Sequence, residues 1–463
     1  MVFSWKNQFT KTPYLLLFIV LISVGVTSAY AINITLGGTV DITQILNMMG
    51  NRITNVGNPT SSSDAATKAY VDSASGTDTL STLGCTTDQI ARYNGINWVC
   101  GKQISKNNPI TTVDSVILVQ EQTSIAIGAD NNPVISYYDS VNDDLVVAHC
   151  GNSSCTENNT LTPVDSSNAV GFDSSITIGA DNNPVISYYD SGNTALKVAH
   201  CSNASCSAST ITTVDNSGDI GLDSSIAIGT DNRPVISYLD KSLDNLKVIH
   251  CGDIDCAENT VSNTITTIDS TDSMGFDSSI TIGADNNPVI SYLDNTNFNL
   301  KVAHCSNATC SSSTITTVDS GTTVGFDTSI TIGTDNFPVI SYQDGGSSDL
   351  KVAHCSNASC TASTTLTPVD SIGSVGGDTS IAIGSNGYPV ISYFDLTNTA
   401  LKIAHCSNAS CSASTITTID NTGSVGSFTS IAIGADNNPV ISYLDLANDE
   451  LKVVVDGTVL IFE

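Results

Sequence analysis

Six copies of one short motif hold the residues of this sequence whose types and spacing could do chemistry. In each copy a histidine directly precedes the first cysteine of a Cys-x4-Cys pair. The copies are His149 with Cys150 and Cys155, His200 with Cys201 and Cys206, His250 with Cys251 and Cys256, His304 with Cys305 and Cys310, His354 with Cys355 and Cys360, and His405 with Cys406 and Cys411. One imidazole and two thiolates would supply three of the four ligands of a zinc ion.

Disulfides explain these cysteine pairs better than zinc does. Neighbouring side chains on a strand point to opposite faces, so each histidine would point away from the cysteine that follows it. Each zinc ligand set would also be incomplete, whereas two cysteines facing each other across a four-residue turn suit disulfide geometry. We predict six such disulfides, a seventh between Cys85 and Cys100, no metal site, and a structural role for the histidines, bonded to backbone carbonyls.

Aspartates recur at three positions of a longer repeat. The first set ends the segment Pro-Val-Ile-Ser-Tyr-x-Asp and comprises Asp139, Asp190, Asp240, Asp294, Asp344, Asp395 and Asp445. The second set ends another strand-like segment and comprises Asp114, Asp165, Asp215, Asp269, Asp319, Asp370 and Asp420. The third set precedes a strand and comprises Asp173, Asp223, Asp277, Asp327 and Asp378. We expect all three sets to lie on one acidic rim.

Three roles for this acidic rim stay open, one of which is to keep the protein soluble in salty water. Each aspartate could cap a turn by accepting a backbone N–H. So many like charges could also attract a cation or a basic partner. Because the sequence has no Asp-x-Asp-x-Asp-Gly loop, we predict turn capping with weak calcium binding, and no other cofactor.

The repeat predicts the fold. Pro-Val-Ile-Ser-Tyr begins seven times, at spacings of 51, 50, 54, 50, 51 and 50 residues. Each unit contains four segments of five to seven residues separated by Gly, Asn, Asp or Pro, which is typical of four strands, A to D. We therefore predict an all-β, seven-bladed propeller over residues 110–463. A strand-D copy, Ile110–Asp114, precedes the first unit and would complete the last blade; the alternative fourth strand is Thr458–Phe462.

The repeat wording resembles bacterial and archaeal surface propellers with Gly-x-Asp-x-x-Pro-x-Ile-Ser-Tyr-x-Asp repeats, a resemblance that implies an extracellular scaffold. The turn Gly179–Asn183 also looks like the aspartate-box hairpins of sialidase-like propellers. Upstream, Met49–Pro59 and Asp64–Asp72 are similar to a module of phage tail fibres. In that family the module forms trimeric stalks, so residues 32–84 are predicted to be a stalk or linker, with a homotrimer as the implied assembly.

The N-terminal residues predict export. Lys6 and Lys11 precede an apolar run from Tyr14 to Val26, followed by Ala29-Tyr30-Ala31, a pattern typical of a signal peptide over residues 1–31. An uncleaved anchor is the alternative and the one membrane contact expected. Residues 85–109 are predicted to form a disulfide-closed hairpin and linker. The protein is thus expected to be secreted or displayed on the cell surface.

Charge excludes one class of partner. The 463 residues carry a formal net charge of −30, although only 13% of them are charged. Residues 110–463 contain 40 acids and 8 bases, a balance of −32, so the negative charge belongs to the propeller. Nucleic acid is therefore not expected as a partner, because phosphate binding requires lysine and arginine.

Catalytic motifs are missing from the sequence. A sialidase-like site needs several arginines to hold a carboxylate, and Arg233 is the one arginine within residues 110–463. Gly-x-Ser-x-Gly, Walker and His-Glu-x-x-His motifs are absent. We therefore expect a non-catalytic binding or structural module, adhesin-like or lectin-like, for an extracellular protein or glycan. Its candidate ligand contacts are the loop-tip residues Arg233, Phe337 and Tyr388.

An enzyme is the alternative expectation. A sialidase-like or other propeller glycoside hydrolase or lyase would require one blade to depart from the repeat and bring acids together in a cleft.

Overall fold

The computed structural model describes residues 89–93, 98–102, 108–115, 122–257, 261–271 and 273–457. The predicted signal peptide, the stalk, the Cys85–Cys100 disulfide and Thr458–Phe462 lie outside these residues. Strands β1 (Gln89–Tyr93) and β2 (Trp98–Lys102) form a two-stranded sheet, as the predicted hairpin requires. The described residues include no helix long and apolar enough to cross a bilayer.

The remaining strands form seven four-stranded sheets, the blades of a β-propeller. The first four blades are β4 (Ser124–Ile127), β5 (Pro133–Asp139), β6 (Asp144–His149) and β7 (Thr160–Asp165); β8 (Val170–Ile178), β9 (Pro184–Asp190), β10 (Ala195–Cys201) and β11 (Ser209–Asp215); β12 (Ile220–Ile228), β13 (Pro234–Asp240), β14 (Asn245–His250) and β15 (Thr264–Asp269); and β16 (Met274–Ile282), β17 (Pro288–Asp294), β18 (Asn299–Cys305) and β19 (Ser313–Asp319). The last three are β20 (Val324–Ile332), β21 (Pro338–Asp344), β22 (Asp349–His354) and β23 (Thr365–Asp370); β24 (Val375–Ile383), β25 (Pro389–Asp395), β26 (Ala400–Cys406) and β27 (Ser414–Asp420); and β28 (Val425–Ile433), β29 (Pro439–Asp445), β30 (Glu450–Val455) and β3 (Ile110–Asp114).

The ring closes through its N-terminal strand. β3 pairs antiparallel with β30, with Ile110 opposite Val454 and Thr111 opposite Val453. The fourth strand of blade seven is therefore the predicted strand-D copy, Ile110–Asp114. Closure removes an open sheet edge at the junction of the first and last blades.

The apolar core lies between adjacent blades. Strand B is buried along its whole length in blades one to four and seven. Between blades one and two, Leu145 and Val147 pack with Ile186 and Tyr188, and the disulfide-forming Cys201 joins the same cluster. Burial of branched and aromatic side chains on both faces of a strand explains why these segments read as continuous apolar runs.

Strand A is longer than predicted, which moves the third set of aspartates off the rim. In blade two the strand begins at Val170 instead of Ser175, so Asp173 lies inside it. The register shifts there, and Asp173 has φ of 47°. Gly171 stands at the start of this irregularity with φ of 106°. Glycine is required there, because a Cβ would lie 2.8 Å from Leu145 Cα of the preceding blade. The Asp173 carboxylate accepts a hydrogen bond from the Asp223 N–H of the next blade at 3.1 Å.

Candidate active site

The rim aspartates are buried in ion-paired groups. In blade two, Tyr188 Oη donates a hydrogen bond to Asp165 Oδ2 at 2.7 Å. Lys197 Nζ lies 3.1 Å from the same oxygen and 2.7 Å from Asp190 Oδ2. Burial disfavours the charged form of Lys197. The hydrogen bonds that Lys197 donates to Asp190 and Asp165 outweigh this desolvation and raise the pKa of Lys197. We call such a group a seam quartet, because it joins strand D of one blade to strands B and C of the next.

Seam quartets recur in blades two to seven, with a changed lysine partner in blade seven. The others are Asp215, Tyr238, Lys247 and Asp240; Asp269, Tyr292, Lys301 and Asp294; Asp319, Tyr342, Lys351 and Asp344; Asp370, Tyr393, Lys402 and Asp395; and Asp420, Tyr443, Lys452 and Asp445. In blade seven Tyr443 donates to Asp420, and Lys452 pairs with Asp445 and Glu450. Blade one keeps the bond from Tyr137 to Asp114, at 2.7 Å, but has Val146 in place of the lysine.

The same carboxylates also cap turns. Asn193 donates to Asp190 through its backbone N–H and its side-chain amide, both at 2.9 Å. No aspartate of the first set is more than 8% exposed. The capping role that the sequence predicts is thus present, and calcium binding by this set stays a prediction. Among the described residues, no three or more His, Cys, Asp or Glu side chains are arranged to hold a metal ion.

Four of the five aspartates of the third set, Asp223, Asp277, Asp327 and Asp378, line the central channel, a cavity of about 150 Å³. Successive members are linked, since the Asp327 N–H donates to Asp277 and the Asp378 N–H donates to Asp327. Burial and then the neighbouring Asp327 carboxylate raise the pKa of both Asp277 and Asp378 to about 7. Burial, followed by Asp173 and Asp277, raises the pKa of Asp223 well above its usual value.

All six predicted Cys-x4-Cys disulfides are present. The prediction that the histidines bond to carbonyls is wrong: their partners are carboxylates. In blades one to five, histidine Nε2 lies within 3.0 Å of the aspartate in the A–B turn of the same blade. The pairs are His149 with Asp130, His200 with Asp181, His250 with Asp231, His304 with Asp285, and His354 with Asp335.

This pairing changes between blades six and seven. Blade six has Asn386 where the other A–B turns have aspartate, and blade seven has Val455 where the other blades have histidine. His405 of blade six instead reaches blade seven, where its Nε2 lies 2.6 Å from Asp456 Oδ2. Asp456 occupies the position of the first cysteine in the other blades and is fully buried.

A cavity of about 470 Å³ opens at this altered pair, and we call it the six–seven pocket. It is lined by Gly384, Ser385, Asn386, Val390, His405, Thr415, Thr417, Asn437, Asn438, Pro439 and Asp456. The His405 side chain is 27% exposed, compared with 8–17% for the other five histidines. The imidazole therefore lies between a buried carboxylate and the cavity.

The pocket occupies the place that a disulfide hairpin fills elsewhere. Thr162 of blade one donates to the Ser205 carbonyl in the hairpin of blade two, at 2.7 Å. Thr417 holds the same strand position in blade six and lines the pocket. Blade seven has no Cys-x4-Cys pair, and its fourth strand is β3. The pocket thus lies beside the blade that β3 completes.

The predicted loop-tip contacts are dispersed. Arg233 lies in blade three, with its Nε 3.8 Å from Asp231. Phe337 is half-buried in the A–B turn of blade five. Tyr388 is exposed in the A–B turn of blade six, and its backbone N–H donates to Asn386 Oδ1 at 3.0 Å. Of the three, Tyr388 alone belongs to a turn that lines the six–seven pocket.

Comparisons with known proteins give structural similarity at low sequence identity. No protein-family model matches the chain, and no curated protein matches its sequence. The chain is similar to an ulvan lyase described as a new family of polysaccharide lyase, with 10% identity over 74% of this chain and 94% of that chain and a TM-score of 0.46. It is also similar to an α-L-arabinofuranosidase from Fusarium graminearum (8% identity, 76% and 98% covered, TM-score 0.45). A third similar structure is the intramolecular trans-sialidase from Ruminococcus gnavus, with 11% identity over 77% of this chain and 98% of that chain and a TM-score of 0.40.

These similar proteins are named as enzymes, and they contradict two expectations from the sequence. The expectations of a non-catalytic binding module and of no enzyme activity are therefore corrected, and the stated alternative, a propeller glycoside hydrolase or lyase, covers the kinds of enzyme that these similar proteins are named as. At 8–11% identity the similarity identifies no acting residue of this chain. The site must be argued from the chain itself.

Proposed function

We propose that this protein is a glycoside hydrolase and that the six–seven pocket is its active site. One observation carries the proposal. The repeated His–Asp pattern is broken between blades six and seven, and a cavity of about 470 Å³ opens at that break. Ligand pockets typically measure about 300–1,000 Å³ and combine apolar walls with a few convergent polar groups.

His405 and Asp456 form the proton-transfer pair. The buried carboxylate holds the imidazole through Nε2, the arrangement by which a carboxylate orients an acid–base histidine. The cavity-facing imidazole then gives a proton to the leaving glycosidic oxygen. Asp456 acts through His405, which makes it a positioning residue.

Asp436 is the second carboxylate that hydrolysis requires. It is exposed in the A–B turn that also supplies Asn437 and Asn438 to the pocket wall, and Asn438 Nδ2 donates to its Oδ2 at 2.9 Å. Val455 stands where a histidine would otherwise engage this carboxylate. Asp436 takes the proton from the attacking water, whose oxygen bonds to the sugar carbon as the glycosidic bond breaks.

The test is hydrolysis of a panel of polysaccharides by the full chain, measured as new reducing ends. We expect His405→Ala to lower kcat by about 100-fold, the typical size of an acid–base contribution. His354→Ala is the matched control, because it removes the corresponding histidine of blade five, and it should leave the rate within about twofold. An unsaturated, ultraviolet-absorbing product would identify a lyase instead. Absence of any product would overturn the proposal.

A further inference from the structure

We infer that the six–seven pocket takes an uncharged glycan and excludes acidic ones such as polyuronates and sialosides. The inference rests on the proposed function and names its substrate class. It is carried by the charges of the described residues within 110–463, which place acids beside this pocket and the bases of this range elsewhere.

The pocket wall offers neutral hydrogen-bonding groups. Two hydroxyls come from Thr415 and Thr417, and amides come from Asn386, Asn437 and Asn438. Amides and hydroxyls can both donate and accept, as sugar hydroxyls do. The lining contains no lysine or arginine, and its ionisable residues are His405 and Asp456.

Six of the eight basic residues of the propeller form ion pairs with the rim aspartates. They are the lysines of the seam quartets, and each lies within 3.2 Å of an aspartate oxygen of the first set. Each is 18% exposed or less. Such a lysine cannot also bind a substrate carboxylate without leaving two buried aspartates uncompensated.

The other two bases lie on blade three. Arg233 is in the turn that precedes β13, and Lys241 directly follows this strand, with its Nζ 3.9 Å from Asp244. Blade three stands across the ring from the junction of blades six and seven. Acidic sugars are held by charge-assisted bonds from arginine or lysine, and neither residue type lines the pocket in the part of the chain that the structure describes.

The surrounding field repels anions as well. Residues 110–463 carry 40 acids against 8 bases, and Asp436 is exposed beside the pocket wall. At physiological salt the screening length is about 8 Å, so this local charge acts on any ligand that enters. A carboxylated sugar would lose hydration there and gain no counter-charge.

The experiment compares two polymers with one backbone: methyl-esterified galacturonan, which is uncharged, and the same polymer after de-esterification. Neutral arabinan and xylan complete the panel. Reducing ends are measured, and binding is followed by affinity electrophoresis. We expect kcat/KM at least 10-fold higher on an uncharged polymer, and equal or faster cleavage of the acidic one would overturn the inference. Asn438→Lys should raise retention of the acidic polymer several-fold.

Binding separates failure of this inference from failure of the proposed function. If no polymer is cleaved, hydrolysis is refuted, but retention of a neutral polymer by wild type and its loss in Asn438→Trp would still support the pocket and its preference. Asn287→Trp, at the same position of blade four, is the control and should bind as wild type. Retention of the acidic polymer alone, or of neither, would overturn the inference.

Discussion

At the scale of single residues, the position of an aspartate in the repeat decides its ionisation. Asp395 is buried, yet hydrogen bonds from Asn398 and Lys402 outweigh its desolvation and lower its pKa. Asp277 is half-buried, but its neighbours in the channel are other carboxylates, and desolvation together with these neighbours raises its pKa to about 7. The sequence shows both as recurring acids. Their opposite behaviour depends on which side chain the fold brings next to each.

Removal of a seam lysine should destabilise the ring. Lys197→Met would leave Asp165 and Asp190 buried without their cation, and breaking a buried ion pair costs about 3–5 kcal/mol. Chemical unfolding should show a lower midpoint than wild type. Lys241→Met, at an exposed ion pair, should change the midpoint little. Equal effects of the two variants would contradict this account of the quartets.

Blade one allows the reverse substitution. Val146 stands where the other blades have lysine, with Asp114 and Asp139 at the carboxylate positions. Val146→Lys would place an ammonium at the junction of the first and last blades, and thermal unfolding should show a higher midpoint. Val146→Met is the control, because it lengthens the side chain without adding a charge. A midpoint for the lysine variant at or below that of the methionine variant would count against a stabilising quartet.

The channel aspartates should make the protein less stable as the pH rises. The pKa of Asp277 and Asp378 is about 7 in the folded state and about 3.9 for an unfolded aspartate, so between these values the folded state binds more protons. Their contribution is therefore complete below about pH 4 and is lost as the pH rises through 7. Melting temperature should fall between pH 5 and pH 8.

Asp277→Asn should flatten this pH profile. The amide keeps an oxygen for the Asp327 N–H, which donates to Asp277 at 3.2 Å, and has no charge to desolvate. Its melting temperature at pH 8 should exceed that of wild type. Asp449→Asn, at an exposed turn, is the matched control and should keep the wild-type slope. A slope unchanged by Asp277→Asn would assign the pH dependence to other groups.

At the scale of elements, the regular parts of the repeat could be predicted and the irregular parts could not. Strands B and C follow from apolar runs between turn residues, and the disulfides follow from a fixed cysteine spacing. The inner strand starts earlier than the apolar pattern indicates, because a glycine at positive φ and a register shift interrupt the alternation before Ser175. Pattern reasoning assumes an unbroken alternation with a period of two, so it predicts Asp173 on the rim, whereas Asp173 lies inside strand A.

Each disulfide hairpin should stabilise two blades. The Cys305–Cys310 bridge closes a hairpin whose Thr309 carbonyl accepts a bond from Thr266 of the preceding blade at 3.0 Å. Replacing both cysteines with alanine should lower the free energy of unfolding by roughly 2 kcal/mol, the entropy expected for so small a loop. Thr266→Val measures the contact between blades separately. If the double alanine variant loses no more free energy of unfolding than Thr266→Val does, the disulfide itself adds no stability.

At the scale of the whole molecule, the same repetition that identifies the propeller conceals its site. The recurring acids, which the sequence shows most clearly, are turn caps, ion-pair partners and channel groups in the structure. Asn386 and Asp456 are two of the residues that depart from the repeat, and a position-by-position alignment of the seven repeats identifies both. The sequence alone does not predict that these two residues lie at one junction between blades. Their proximity depends on the order of the strands, in which β3 supplies the fourth strand of blade seven.

Closure and the proposed site are therefore coupled. β3 covers β30, and β30 leads directly into Asp456, the residue that holds His405. A chain lacking residues 1–115 would lose β3 and leave β30 as an exposed edge. We expect a melting temperature lower by roughly 5 °C or more, since each kcal/mol moves the midpoint of a large domain by about 2 °C.

A chain lacking only residues 1–107 is the matched control, because it keeps β3, and it should melt as the full chain does. The coupling predicts a further difference below the melting range. Without β3, hydrolysis should fall more steeply than in the Cys305→Ala, Cys310→Ala variant, whose lesion lies in blade four and leaves Asp456 supported. Equal activity of the two truncated chains would show that Asp456 is held by blade seven alone, and closure would then serve stability without serving the site.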